Sequence, residues 1–498
     1  MKKYLLGIDN GGSVIKAALF SADGQLIASS GRSVPIRTSS VGYVERDPAE
    51  IWKSNCIVIR ETIEKSGIDP SAIFGIGVTG YGNGILLADD RGDPVGPAIV
   101  STDSRAQSMV NELRKNGIEE QVFALNHQGL WSAQTSVLLS WLKHHSPELV
   151  RQARWFLGIK DYIRLRLTGE FTSEITEASS AGLMNLHTLA YDRELFRLLD
   201  IGDCFDMAPP CLSCTDACGT VTEAAALETG LKPGTPVTGS MFDVDAGLLA
   251  SGILDGKTAC MIAGTWSINE YLDTQLRYGY GESTNSVSCA FLPGHYLVEE
   301  STPTSASNLD WYLRELSKLD SSGKEVYSSC NRIVDSVSPD ESDVVFVPYL
   351  FSSATHPDAK ACFLNVSAYS TQQHMLRAVY EGVVFSSVFH VRRLMEGGNT
   401  FSKARLSGGL IRSEVWSQMM ADAVGIPMEI PEGDELSALG AAMAAGVGCG
   451  LFSDYQAAVN AMTRIRRVYE PDPEAVPVYR RKFRLYEKAL KALDVFHS

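Results

Sequence analysis

Residues 4–20 read YLLGID, NGGS, VIKAALF: two apolar runs of strand length flank a turn with consecutive glycines, and a second turn signal, SADG, follows. A glycine turn that feeds a second strand makes a β-hairpin. Dinucleotide-binding βαβ units need a helix at that point, so a fold of that kind, and a dehydrogenase built on it, is disfavoured. The segment TACMIAGTWSINEYL, residues 258–272, repeats the plan of apolar strand, glycine turn and second strand. A chain of 498 residues is longer than one core usually organises. The two openings therefore predict a duplicated domain plan, residues 1–246 and 247–498, with the boundary close to residue 246.

Between the hairpins, DPAEIWKSNCIVIRETIEKS, residues 47–66, carries a Pro near its start and apolar residues at helical spacing, which predicts an amphipathic helix. IFGIGVTG, ILLADD and VGPAIVSTD read as short strands. Residues 105–170 are mostly helical by period, WFLGIKDYIRLRLTG included. GTPVTGSMFDVDAGLLASG reads as a strand, a sharp turn and a helix of small residues. Later helices are expected in HMLRAVYEGVVFSSVFHVRRLME, EVWSQMMADAV, ELSALGAAMAAGVG and YRRKFRLYEKALKAL, with KARLSGGLIRS as a strand and turn.

With 45% hydrophobic and 21% charged residues, the composition is that of a soluble globular protein. A formal charge of -15 argues against a general nucleic-acid binder, because phosphate backbones are held by surplus Lys and Arg. Asp9 interrupts the apolar start before a secretory segment is complete, and ALGAAMAAGVGCGLF is too short to span a bilayer. A cytoplasmic protein with no membrane partner is expected. Ten scattered cysteines fit a reduced chain. Cys204, Cys211, Cys214 and Cys218 cluster in a loop-like stretch, but their spacing matches no paired CxxC zinc pattern, so free thiols are expected. His127, His145, His356 and His390 show no metal-ligand spacing and are read as structural.

The residues that can carry chemistry sit at the turns. Consecutive glycines expose backbone N–H groups that cradle phosphate oxygens, and a carboxylate at the end of the first strand positions a hydrated Mg²⁺ beside them. Asp9 with Gly11, Gly12 and Ser13 meets that requirement; an ordinary hairpin turn is the alternative. Gly264 and Thr265 repeat the glycine-plus-hydroxyl pattern. Gly408 and Gly409 stand between a short strand and a helix, where a backbone can approach a flat ligand such as adenine. The helix ALGAAMAAG lacks bulk, so another helix can pack close against it.

The order GIDNGGS, FDVD with its small-residue helix, AGTWS, LSGGLIRS and ALGAA resembles the five-part ATP site of the sugar kinase, Hsp70 and actin superfamily. Within it the chain resembles the FGGY carbohydrate kinases, most closely the branch that holds L-xylulose, D-xylulose and erythritol kinases. The segments GYVERDP, GVTGYGNGILLAD, STDSRA, GLKPGTPVTGSMFD, YEGVVF and SGGLIRSEVWSQMMAD carry the likeness in family order over nearly the full length. The resemblance implies an α/β fold of two ribonuclease-H-like (actin/hexokinase/Hsp70-type) domains that close on ATP, Mg²⁺ and a small sugar.

It further implies that Asp243, at the start of the helix before the second domain, is the catalytic base. Asp245 is a rival, and helix capping is a role compatible with either. Gly82 and Asn83 are implied as sugar contacts, with room for a ligand at Gly82, and Asp103 and Arg105 as lining the same pocket; Arg105 reads equally as a surface or interdomain ion pair. Asp9 is implied as the metal residue. Gly11, Gly12, Ser13, Lys16, Gly264, Thr265, Gly408, Gly409 and Ser413 are implied as nucleotide contacts. Glu45 either orders a loop near the sugar or caps the following helix, and capping is the expected role. Where D-xylulose kinases place Gln, Met and His, this chain has Tyr81, Gly82 and Asn83, which points away from D-xylulose. The expected activity is phosphorylation of a pentulose, or of a related alditol or keto-sugar acid, by a monomer or homodimer; a regulatory ATPase of the actin or Hsp70 type is the competing class.

Overall fold

The computed structural model describes residues 2–264, 266–281, 286–317, 324–351, 353, 355–356 and 359–497. The first hairpin is β1 (Tyr4–Asn10) and β2 (Val14–Ser21), extended by β3 (Leu26–Ser33). Helix α1 (Pro48–Ser66) leads to β4 (Ile73–Gly80), and β5 (Ala217–Thr220) and β6 (Pro236–Thr238) complete the sheet. Its strand order is β5-β6-β4-β1-β2-β3. Helix α2 (Asp243–Ala250) follows. A second sheet is built from β7 (Thr258–Ala263), β8 (Ser267–Asp273), β9 (Ser286–Cys289), β10 (Tyr296–Thr302), β11 (Lys403–Ser407), β12 (Met428–Pro431) and β13 (Ile465–Tyr469). Its order is β9-β10-β8-β7-β11-β12-β13.

The two sheets share one pattern. In each, the opening hairpin and its third strand are antiparallel, while the first strand runs parallel to a fourth and the fourth to a fifth: β1, β4 and β6 in one, β7, β11 and β12 in the other. This is the ribonuclease-H-like order, present twice, as the paired hairpins predict. One expected helix is corrected: Trp155–Leu157 is a short strand paired with Leu86–Ala88, and the helix begins after Gly158, at Ile159.

Helix α1 forms where expected because Asp47 caps it: its carboxylate accepts the Ala49 N–H at 2.9 Å, Pro48 fills the first helical position, and Gly67 ends the helix in the left-handed region (φ 64°). The capping role expected of Glu45 is therefore corrected, since the residue two places on performs it.

Between the sheets lie α2 and α3 (Leu436–Gly448), the small-residue helix. They share one hydrophobic cluster with Leu5 and Phe20 of the first sheet and Cys260, Leu272 and Leu297 of the second. Backbones here touch with no side chain between them. A Cβ on Gly440 would lie 2.0 Å from the Ala246 carbonyl oxygen, one on Gly7 1.9 Å from that of Ala438, and one on Gly77 1.9 Å from that of Ala441. The absent side chains let α3 press against α2 and against β1 and β4 together. No helix among the described residues is long and apolar enough to cross a membrane.

Candidate active site

The carboxyl ends of β1 and β4, the glycine turn after β1 and the first turn of α2 converge at one place. Asp9 lies on β1 opposite Lys16 of β2 and beside Thr79 of β4. Its Oδ1 is buried with no hydrogen-bond partner. Burial pushes the Asp9 carboxyl up to about 6, against the pull of Lys16, and Glu435 adds to the rise. Lys16 is held by Glu435, at the N-terminus of α3, at 2.8 Å. A buried acceptor without a donor, next to an exposed glycine turn, fits a cation with oxygen ligands.

The turn itself is tied from behind. Arg46 is 1% exposed, and its guanidinium donates to the carbonyl oxygens of Gly11 (3.4 Å) and Gly12. Gly12 and Ser13 stay exposed on the other side. Asn10 and Asn55 exchange side-chain amide bonds of 3.2 and 2.8 Å, which fixes the end of β1 to α1.

Asp243 is the first residue of α2 and is half-buried. The loop before it is fastened to β4: the Ser240 hydroxyl accepts the Val78 N–H at 2.6 Å, and Thr79 Oγ1 donates to the Met241 carbonyl at 2.7 Å. Burial, then the nearby carboxylates of Asp9, Glu177 and Glu299, hold the Asp243 carboxyl well above the usual range, and the Val244 N–H opposes this. Glu299 comes from β10, so Asp243 faces acids from both halves of the chain. Asp245, the rival, is fully buried, and its Oδ1 accepts the Phe291 N–H at 2.9 Å. It links α2 to the second half, away from the turn.

The sugar-side residues divide. Asn83 holds a left-handed backbone (φ 64°), rare for a side chain other than glycine. Its N–H donates to Glu177 Oε1 at 3.0 Å, and its Oδ1 accepts the Thr135 N–H at 3.4 Å. Glu177 is braced by the fully buried Lys160, 3.2 Å away, which also meets Glu174 and Asp161. The expected room at Gly82 is corrected: a Cβ there would lie 2.6 Å from the Phe242 ring, so the ring fills that space. Asp103 and Arg105 are engaged with each other and with their neighbours. Arg105 chelates Asp103, which also accepts the Val44 N–H, and reaches Glu45 at 2.7 Å. Arg105 and Glu45 border a cavity of about 400 Å³ with Tyr43, Trp141 and His145, whose wall contains none of Gly82, Asn83 and Asp243. The Arg105 ion pairs are thus neither on the surface nor interdomain.

On the second sheet, the Gly264 N–H donates to the Trp266 carbonyl at 2.9 Å, closing the turn; Thr265 lies outside the described residues. Gly408 has φ 90°, and a Cβ on it would meet the Ala263 carbonyl at 2.5 Å, so the ends of β7 and β11 touch through backbone. Nothing stands within 4 Å of a Cβ on Gly409. Ser413 caps the helix Glu414–Val424 by accepting the Trp416 N–H, and its hydroxyl donates to Asn331 at 2.8 Å. All ten cysteines are free thiols, and among the described residues no three metal-ligating side chains gather.

Sequence reasoning missed Arg46, Lys160, Glu177 and Glu299. Arg46 stood in the quoted GYVERDP with no spacing to mark it. Lys160 meets Glu174 and Glu177 from a neighbouring helix, whereas Glu177 reaches Asn83 and Glu299 reaches Asp243 from distant parts of the chain that only the fold brings together.

The sequence profiles described as "FGGY family of carbohydrate kinases, N-terminal domain" and "C-terminal domain" match residues 4–250 and 259–449. The chain is 37% identical over 497 residues to a probable L-xylulose kinase of Pasteurella multocida, covering 98% of this chain and 99% of that protein. It is 34% identical to the L-xylulose/3-keto-L-gulonate kinase of Escherichia coli, covering 100% and 99%. The crystal structure of xylulose kinase from Rhodospirillum rubrum superposes with a TM-score of 0.90 at 26% identity, covering 99% of this chain and all of that one. Two sheets of one plan, glycine turns at the ends of both and a helix between them that opens on Asp243 thus coincide with full-length relatives, and the chain belongs to the FGGY family of carbohydrate kinases, enzymes that phosphorylate sugars with ATP.

Proposed function

We propose that this kinase phosphorylates a ketopentose, L-xylulose first among them, with Asp243 as the base that takes the proton from the attacking hydroxyl. The observation that carries the reading is the convergence of Asp243, Asp9 and the Gly11–Gly12 turn at one spot, with the Asp243 carboxyl raised by burial and then by its acidic neighbours. A carboxylate of raised proton affinity is the stronger base, and phosphoryl transfer depends on in-line positioning more than on covalent chemistry. Asp9 would hold the divalent cation that accompanies ATP. That ion, expected to be Mg²⁺, supplies charge neutralisation for the phosphates. The turn around Gly11, Gly12 and Ser13 and the facing one at Gly264 would hold the phosphates, with Lys16 at the edge, while the touching ends of β7 and β11 at Gly408 and Gly409 would receive the adenine. Asn83, held in its uncommon backbone state by Glu177, would orient the sugar hydroxyls, because such strain persists where the surroundings impose it.

Two full-length relatives named for L-xylulose favour this substrate. Release of ADP from ATP should be stimulated by L-xylulose above D-xylulose, L-ribulose and erythritol. In Asp243→Asn, turnover should fall by about 10²–10⁴-fold while ATP still binds by calorimetry. Full turnover in that variant, or ADP release indifferent to every sugar, would reject the proposal.

A further inference from the structure

Arg46 is a buried guanidinium with no carboxylate partner among the described residues. The acids beside it in sequence are engaged elsewhere: Glu45 pairs with Arg105 at 2.7 Å, and Asp47 caps α1 and meets Arg37 at 2.9 Å. Its Nε has no hydrogen-bond partner, and the Tyr81 ring lies 5.9 Å from the guanidinium carbon. A buried charge without a counter-ion is costly, so its retention calls for an anion that is present only part of the time.

What Arg46 touches tells which anion. It donates to the carbonyl oxygens of Gly11 and Gly12, two consecutive peptides. In a planar trans peptide the C=O and the N–H point in opposite directions. Drawing both carbonyls toward Arg46 therefore turns the N–H groups of Gly12 and Ser13 the other way, toward the open side where both residues are exposed. Glycine peptides left to themselves flip readily, because no side chain biases them. One side chain thus sets two amide donors and places a positive charge behind them.

We infer that Arg46 is a positioning residue for the phosphates of ATP: it orients the Gly12 and Ser13 amides toward them and supplies the balancing charge from beneath the turn. The inference rests on the reading of this turn as the phosphate cradle. Its strand, Glu45–Arg46, is held by pairing with Ala98–Ile99, so the guanidinium is presented on a rigid element.

The test uses the full chain with Arg46→Lys and Arg46→Ala, and measures KM for ATP and for L-xylulose, kcat and thermal stability. Loss of one oriented donor and of a close charge is worth about tenfold. Arg46→Lys should raise the KM for ATP by several-fold, and Arg46→Ala by tenfold or more, with the KM for L-xylulose within twofold of wild type. Guanidinium ion at low, non-denaturing concentration should restore part of the Arg46→Ala activity, which a purely structural role would not allow. If Arg46→Ala does not fold, Arg46→Lys decides alone. An unchanged KM for ATP in Arg46→Lys, or sugar and ATP constants that shift together without rescue, would overturn the inference. A wild-type enzyme that consumes ATP with no sugar at all would instead bring down the functional reading on which it stands.

Discussion

At the scale of single residues, the site stores energy in carboxylates it would not need for folding. Asp9 is the clearest case, since burial raises it from the ordinary 3.8 to about 6. A raised carboxyl penalises the folded state only when ionised. The penalty is absent below the unfolded value near 4, grows between 4 and 6, and is full above 6. Asp9→Asn removes it. The ligand-free variant should be more stable than wild type at pH 8, by about 3 kcal/mol, and the advantage should shrink as pH falls toward 4. The same change should abolish metal-dependent nucleotide binding. Thermal unfolding at pH 8 and pH 4.5 checks the first expectation, and equal melting temperatures at pH 8 would contradict it. In wild type, binding of the metal–nucleotide pair should weaken as pH falls through about 6. The sequence marked Asp9 because it stands near the end of the first strand beside a glycine turn, and Asp243 through the resemblance of the motif order to the family. It could not mark Arg46 or Glu177, whose roles arise from hydrogen bonds across 34 and 94 positions of chain.

At the scale of elements, the hairpins and the small-residue helix were legible for physical reasons: a glycine turn between apolar runs permits little besides a hairpin, and a helix of Ala and Gly has no use except close packing. The identity of its partners was not legible, since spacing within α3 does not say which backbones it meets. The structure supplies them. Gly440 faces Ala246 of α2, and Gly7 and Gly77 of the first sheet face Ala438 and Ala441. Because α2 carries Asp243 at its first turn, α3 sets the height of the Asp243 carboxyl, the proposed base, above β1. A side chain at Gly440 meets a backbone carbonyl at 2.0 Å, and a backbone cannot rotate aside as a side chain can. Gly440→Ala should cost about 1–3 kcal/mol by overpacking, and Gly440→Val should cost more. Protein of Gly440→Ala that does fold should keep its affinity for ATP yet lose kcat, as α2 is displaced. A variant with wild-type denaturation midpoint and kcat would show that the helices have slack.

At the scale of the whole molecule, charge is sorted around Asp243. The chain carries a net -15, and the acids that bear on Asp243 come from the first sheet, the helix of Glu177 and the second sheet. The cations near them are already engaged: Lys160 with Asp161, Glu174 and Glu177, and Lys16 with Glu435. Arg46, which has no carboxylate partner among the described residues, stands behind the glycine turn, at the end proposed for the phosphates. A neutral ketose brings hydroxyls, which acids and amides bind well. A sugar acid brings a carboxylate, which must shed its water among other acids where, among the described residues, the neighbouring cations Lys160 and Lys16 are already paired. One pKa unit of such repulsion corresponds to tenfold in binding. The kcat/KM for a neutral ketopentose should therefore exceed that for a keto-sugar acid by about tenfold or more. Replacing Glu299 by Gln should narrow the gap by improving turnover of the sugar acid, because Glu299 bears on Asp243 from the second half of the chain. Raising ionic strength should narrow it only slightly, since salt screens buried groups poorly. Equal efficiency on the two substrates in the wild-type enzyme would mean that a cation reaches the sugar end when the halves close.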